Sequence, residues 1–292
     1  MPRVAVVANP TKSGDPYWER RVLGVLERAG LPGATWLPTT AADPGPGQAR
    51  QALADGADLV VVCGGDGTVR SVATVLAGTD VPMALLPSGT GNLLARNLQI
   101  PLEVGAAAAV AAHGRTRAID VGRTQDGECF LVMAGTGFDA AMLRDTSDRA
   151  KVWLSWAAYV LAGSRHLRGP LATYSLEIDG VSVQRQGRGV LVGNVAELQS
   201  GFELLAGARP DDGLLDVAVL GPLSLRGWLR LIRRAGLGRD PGEQVFERWT
   251  ARTVTVRSEP AQPVQYDGDL VDAAIALRCR AEPGALRVRV PS

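Results

Sequence analysis

Histidine is scarce in this chain: among 292 residues it occurs only as His113 and His166. His113 closes a run of small residues, where an imidazole complements a helix C-terminal dipole, and His166 lies between Arg165 and Arg168. Neither setting suits a Ser-His-Asp relay or a zinc centre. Cysteine is nearly as rare. Cys63, Cys129 and Cys279 are odd in number and far apart, and Cys63 falls inside an apolar run, so a buried reduced thiol is expected there rather than a disulfide or metal ligand. No charge dominates: 31 Lys+Arg against 30 Asp+Glu leave +1, which excludes a globally basic nucleic-acid binder and an acidic disordered chain. No apolar run reaches the roughly 20 residues of a membrane-spanning helix. Met1-Pro2-Arg3 runs straight into an apolar strand pattern with no room for a signal peptide. Repeats and low-complexity tracts are missing too. The expectation is a cytoplasmic protein.

What remains is a chain with 46% hydrophobic residues, long enough for two modest domains. Strand patterns at 4–8, 34–37, 59–63 and 81–86 alternate with helical ones at 17–29, 48–54 and 69–77. That β-α-β-α rhythm predicts a parallel sheet with helices on both faces. Beyond about residue 120 the rhythm stops. Strand patterns at 117–121, 129–134, 171–178, 181–186, 189–195, 214–220, 252–257, 273–280 and 286–290, with turns at Gln125-Asp126-Gly127 and Asp179-Gly180, predict an antiparallel sandwich. Helical patterns interrupt it at 140–168 and 223–235.

The run Val60-Val61-Val62-Cys63 drives into Gly64-Gly65-Asp66-Gly67-Thr68, and a helical pattern follows at once. Strand, glycine turn and helix together bring bare backbone N–H groups and a helix N-terminus onto a phosphate. Glycine permits the close approach. Asp66 suits such a turn if a divalent cation stands between it and the phosphate, or if it caps the helix. Some twenty residues on, the second strand ends in Pro87-Ser88-Gly89-Thr90-Gly91-Asn92. Ligands of open α/β sheets bind at such strand ends.

GGDGT followed at this distance by PSGTGN resembles the diacylglycerol kinase catalytic domain of bacterial lipid kinases and sphingosine kinases. GGDGT alone also suits NAD kinases and phosphofructokinases, and the second motif discriminates. The resemblance extends along most of the chain: Asn9-Pro10 with Gly14 is similar to the family's first loop, Thr39 or Thr40 falls where the family has a nucleotide-contacting threonine, and Gly135-Thr136-Gly137-Phe138-Asp139-Ala140 is similar to its Gly-x-Gly-x-Asp-Ala segment. It implies an ATP-dependent lipid kinase of two domains. Residues 1–120 would form a nucleotide-binding α/β domain, and 121–292 a β-rich lipid-substrate domain whose last residues return to the first. Asn9, Pro10, Thr39, Thr40, Gly64, Gly65, Gly67, Thr68, Gly89, Thr90 and Asn92 would cradle ATP, and Asp66 would act through Mg²⁺.

Pro210-Asp211-Asp212-Gly213-Leu214-Leu215-Asp216 resembles a family segment that holds a structural magnesium, which implies Asp212, the Leu214 carbonyl and Asp216 as ligands. Arg209, at the position where those members offer an oxygen ligand, opposes a cation electrostatically. Tyr266-Asp267-Gly268-Asp269 reads locally as a β-turn and resembles the family's Asp-Gly-Glu motif, with Asp269 one methylene shorter than Glu. With no histidine on offer, Asp269 is the expected acceptor of the substrate hydroxyl proton, with Asp267 behind it. An NAD kinase-like enzyme and a non-catalytic nucleotide-binding regulator of the same fold stand as alternatives. The lipid substrate implies peripheral contact with the inner membrane face. Leu225, Trp228, Leu229 and Ile232 opposite Arg226, Arg230, Arg233 and Arg234 suggest an amphipathic helix for that contact. Lipid metabolism is the expected setting, and a homodimer is left open.

Overall fold

The structure is a computed structural model that describes residues 1–12, 17–137, 171–196, 205, 207–221, 246–271 and 276–292. The expected helices at 140–168 and 223–235, the Phe138-Asp139-Ala140 part of the second glycine segment, and Gly14 of the first loop lie outside the described residues. The chain forms two compact units, Met1–Val121 with Pro283–Ser292, and Gly122–Glu282.

The first unit runs β1 (Val4–Ala8), a 3-10 turn (Pro10–Lys12), α1 (Trp18–Arg28), β2 (Thr35–Pro38), α2 (Pro46–Ala54), β3 (Leu59–Gly64), α3 (Asp66–Leu76), β4 (Met83–Pro87), α4 (Leu93–Asn97) and α5 (Val104–His113). The strands lie in the order β2-β1-β3-β4, all parallel. Every residue of β1, β3 and β4 is buried. This explains their unbroken apolar runs, since parallel strands are covered on both faces. Right-handed crossovers put the helix that steps back to β2 on one face and those that step forward on the other. Accordingly α1 packs on α5, and α2 on α3.

The chain leaves this unit along β5 (Arg115–Thr124) and builds β6 (Cys129–Phe130), β7 (Met133–Gly137), β8 (Ala172–Ile178), β9 (Val181–Gly187), β10 (Gly189–Gly193), β11 (Leu215–Leu220), β12 (Phe246–Ala251), β13 (Thr253–Glu259), β14 (Val264–Tyr266) and β15 (Asp269–Val271). One antiparallel sheet runs β12-β11-β10-β7-β14-β15. The other contains β13, β8 and β9 beside the first half of β16 (Ala276–Val290). Alternate residues Tyr174, Leu176, Val254, Val256 and Leu277 of this sheet share one core with Val190, Val192, Val217 and Val219 of the first. That is the period-2 logic of a sandwich. The Asp179-Gly180 turn has φ of 46° and 84°, the two left-handed positions of a type I′ hairpin.

Two strand expectations change. The patterns at 273–280 and 286–290 are one strand, β16, despite Pro283-Gly284 between them. Its first half pairs with β13 and its second with β4 (Val288 opposite Met83). At the break, Gly284 takes φ 60° and donates its N–H to Asp120 Oδ1 at 2.7 Å. A side chain from far away therefore satisfies the backbone where a turn would otherwise be needed. Strand β12, with charged residues among its apolar ones, was not expected, yet it pairs along its whole length with β11. Among the described residues no helix is long and apolar enough to cross a membrane.

Candidate active site

The carboxyl ends of β2, β1, β3 and β4 stand side by side, and each is followed by a turn that the sequence singles out. Backbone bonds string these turns together: Thr39 N–H donates to Ala8 O (2.8 Å), Asn9 N–H to Cys63 O (2.9 Å) and Ser88 N–H to Gly64 O (3.1 Å). The strand order reverses between β1 and β3, the switch point at which open α/β sheets bind ligands.

Gly65 is the N-cap of α3 and, as a glycine, brings no side chain to cap that helix. Its first-turn N–H groups and the positive end of its dipole are therefore the donors such a site offers to an anion. The second turn folds hard onto the first: a Cβ on Gly89 would stand 2.5 Å from Gly65 Cα, and one on Gly64 would stand 2.7 Å from Thr68 Cβ. Asn92, in the left-handed region at φ 50°, closes this turn with its own amide. Its Oδ1 accepts from Gly89 N (3.0 Å), and its Nδ2 donates to Gly89 O (2.8 Å).

Asp66 caps a helix other than its own. Its Oδ2 accepts from Asn92 N (2.9 Å) and its Oδ1 from Leu93 N (2.7 Å), so it caps α4 and ties the two glycine turns together. Elsewhere around the rim, Asn9 Oδ1 accepts from Thr11 N and Oγ1 (3.0 and 2.7 Å), and Thr40 Oγ1 accepts from Asp43 N (3.0 Å). Thr39 and Thr68 are buried, while Pro10 and Thr90 are exposed. Cys63, the expected buried thiol, is fully enclosed beneath the first turn, and burial raises its pKa to about 11.

In the second unit, Asp267 and Gly268 form the β14–β15 turn at φ 47° and 88°. The Asp267 carboxylate points inward. It accepts from the backbone N–H groups of Leu131 (2.8 Å), Val132 (2.9 Å) and Met133 (2.9 Å), while Gln265 Oε1 accepts from Gly268 N (2.7 Å). Three backbone donors take up three of the roughly four acceptor positions of the carboxylate. Asp267, the second candidate base of the sequence reading, thus clamps its turn onto the chain around β7. Asp269 opens β15, exposed and opposite Tyr266.

Asp212 and Asp216 lie close enough to feel each other's charge. The Asp216 pKa rises to about 6, first through burial and then through the Asp212 carboxylate, with the Arg248 guanidinium opposing the shift. Asp212 Oδ1 accepts from Leu214 N (3.0 Å), and Arg209 pairs with Asp211 (3.3 Å). Two facing carboxylates of which one is half-buried fit a hard cation, which would relieve both the repulsion and the burial. Among the described residues no group of three or more His, Cys, Asp or Glu could hold a metal, so backbone oxygen would have to complete the set.

Two polar residues went unread in the sequence. Asp120 is buried at the Gly284 break. Asn194, fully buried, donates its backbone N–H to Val132 O (2.9 Å) and its Nδ2 to Leu131 O (3.3 Å), beside the Asp267 clamp. The Gly193-Asn194 pair after an apolar strand was the available signal for the second; Asp120 left none.

The sequence pattern of the diacylglycerol kinase catalytic domain matches residues 3–124. That of the YegS C-terminal NAD kinase beta sandwich-like domain matches residues 132–290. The chain belongs to this YegS-like diacylglycerol kinase family. A family member from Pseudomonas fluorescens, named "probable lipid kinase YegS-like", is 36% identical over 247 residues, 83% of this chain and 80% of that one. Its Pseudomonas aeruginosa counterpart of the same name matches at 36% over the same shares. Among solved structures, a diacylglycerol kinase from Bacillus anthracis superposes with a TM-score of 0.77 at 23% identity, covering 99% of this chain and 96% of that one. An NAD kinase from Archaeoglobus fulgidus in complex with ATP shares the fold more distantly, with a TM-score of 0.54 at 14% identity over 98% and 93% of the two chains.

Proposed function

We propose that the protein is an ATP-dependent lipid kinase that transfers the γ-phosphate to a hydroxyl of a lipid such as diacylglycerol or a sphingoid base. The observation that carries this reading is the pair of interlocked glycine turns after β3 and β4, beside the β1/β3 switch point and at the N-terminus of α3. Membership of a family with lipid-kinase relatives supports the acceptor class.

Bound Mg²⁺–ATP supplies the phosphoryl group and neutralises charge on its oxygens. The chain's own part is positional. Gly64, Gly65, Gly67 and Thr68 present backbone donors to the phosphates, and Gly89, Thr90 and Asn92 shape the second wall. Asn9, Pro10, Thr39 and Thr40 flank the nucleotide. Asp66 holds both walls in register and sets a negative charge at the edge where the cation-bearing phosphates arrive. Asp269 orients the acceptor hydroxyl and takes its proton late, as the loose transition state of phosphoryl transfer requires. Asp267 fixes the turn that presents it. Asp212, Asp216 and the Leu214 carbonyl would hold a structural Mg²⁺.

The test is transfer of labelled phosphate from ATP to diacylglycerol, sphingosine and phosphatidylglycerol, with NAD⁺ as a parallel acceptor. Labelling of a lipid, lost in Asp269→Asn, is the expected result. Labelling of NAD⁺ alone, or nucleotide binding without transfer to any lipid, would overturn the reading.

A further inference from the structure

The outward face of the second unit carries a basic trough that the reaction does not use. Its floor is the exposed row of β13 and β16, where Thr253 stands opposite Arg280 and Thr255 opposite Arg278. Its wall is the loop that follows β5. Gln125 fastens wall to floor as a strand would: its Nε2 donates to Ala276 O (3.3 Å), and its Oε1 accepts from Arg278 N (2.8 Å). The concavity between them measures about 660 Å³.

Charge in the trough is one-sided. Asp126 of the wall loop is turned to Thr124 Oγ1 and Tyr266 OH. Glu282, the one carboxylate among the described residues that line the trough, is spent twice. Its Oε2 takes Arg123 Nε and Nη2 (3.0 and 2.8 Å), and its Oε1 takes Arg280 Nη2 (2.5 Å). Three arginines thus face a single acid. Arg278 is exposed and makes no ion pair among the described residues, and the same is true of Arg257, which continues the outward row of β13. Asp179, at the end of that row, has its carboxylate committed to Arg252 N, Thr253 N and Thr253 Oγ1. Glu177, opposite Thr255 on β8, is the acid on the far side.

We propose that this trough seats the phosphodiester headgroup of an anionic phospholipid, docking the second unit on a charged membrane surface. A free phosphate would fill only a small part of the space. A glycerophosphate headgroup has the size to lie along it, with its phosphate at Arg278 and its hydroxyls at Thr255 and the wall. Guanidinium planes and phosphate oxygens match in geometry as well as charge. The proposal concerns binding and rests on no step of the transfer reaction.

The experiment is flotation of the full chain with vesicles of phosphatidylcholine, with and without phosphatidylglycerol. Wild type should float only with the anionic vesicles, and less so as salt rises. Attraction of arginine to an anionic surface corresponds to roughly fivefold in partitioning per residue, so Arg257→Gln with Arg278→Gln should weaken binding on the order of twentyfold. The Arg→Lys pair should retain most of it, and both variants should melt like wild type, since neither side chain holds an ion pair. Unchanged binding in the Gln pair overturns the proposal, as does no binding by wild type. Release of wild type by inorganic phosphate at constant ionic strength, without vesicle-dependent protection, would make the trough a soluble-anion site and overturn the lipid assignment. Activity on a short-chain dispersed lipid is measured separately, so loss of docking and loss of catalysis are told apart.

Discussion

Asp267 and Asp66 do the same physical work in different units: each spends a carboxylate on backbone N–H donors that a turn would otherwise leave open. Hydrogen bonds to a charged group contribute about 1.5–3 kcal/mol each, and they are not additive. Asp267→Asn turns an amide NH₂ toward one of three donors, so a loss of about 2–4 kcal/mol in urea unfolding is expected. A loss below the error of the measurement would mean that the clamp holds nothing. Asp66→Asn should cost about 1–3 kcal/mol of stability and abolish ATP binding in calorimetry, because the second wall is no longer tied to the first. Normal binding would leave Asp66 as a cap only. Asp216 behaves oppositely. Its folded pKa of about 6 stands above the usual 3.8, so the native state holds the extra proton and stability falls as pH rises between those values. Asp216→Asn should therefore raise the melting temperature at about pH 8 and leave it unchanged below about pH 4. At the higher pH, Mg²⁺ should stabilise wild type and not the variant. A metal effect that survives in the variant would place the ion elsewhere.

At the scale of elements, the interlock of the two glycine turns is the most exposed to test. The atom facing Gly89 is the Gly65 backbone and not a flexible side chain, so Gly89→Ala must push the turns apart. Overpacking of this kind costs about 1–3 kcal/mol, and ATP affinity should fall further than stability does; unchanged affinity would show that the turns need not touch. Both turns were legible in the sequence because strand, glycine and helix follow each other within a few residues. The buried parallel strands announced themselves as unbroken β-branched runs, and the Asp179-Gly180 hairpin by its left-handed turn residues. What escaped was long-range. Nothing local tells Asp66 that its partners lie 26 and 27 residues on, or Asp267 that its donors lie 134 to 136 residues back. Hence the sequence suggested only a cation or its own helix as partner for Asp66, and a reserve base in Asp267. Strand β16 escaped for the same reason, since Pro283-Gly284 is a breaker until Asp120 is brought beside it.

At the scale of the whole molecule, the second unit is inserted into the first, and Asp120 and Gly284 join its entry to its exit. The returning segment is well anchored: Gly78 N–H donates to Ala285 O (2.7 Å), Arg287 pairs with Asp80 (2.6 Å), and Leu286, Val288 and Val290 are buried. Three buried aliphatic side chains contribute roughly 5–8 kcal/mol, comparable to the whole stability of a domain. Deletion of residues 283–292 should therefore unfold the first unit, read as trypsin cleavage within 1–121 that the full chain resists. A truncated chain as resistant as wild type would show that β16 only decorates the sheet.

The same insertion sets a problem of timing on the ribosome. Strand β4 has β3 on one side and waits for β16 on the other, yet the roughly 160 residues of the second unit are translated in between. At about 5–20 residues per second the nascent sheet keeps a raw edge for on the order of ten to thirty seconds. An unpaired apolar edge is a template for pairing with other chains. Nascent chains arrested within residues 122–282 should accordingly recruit chaperones or aggregate, whereas emergence of the second half of β16 closes the sheet.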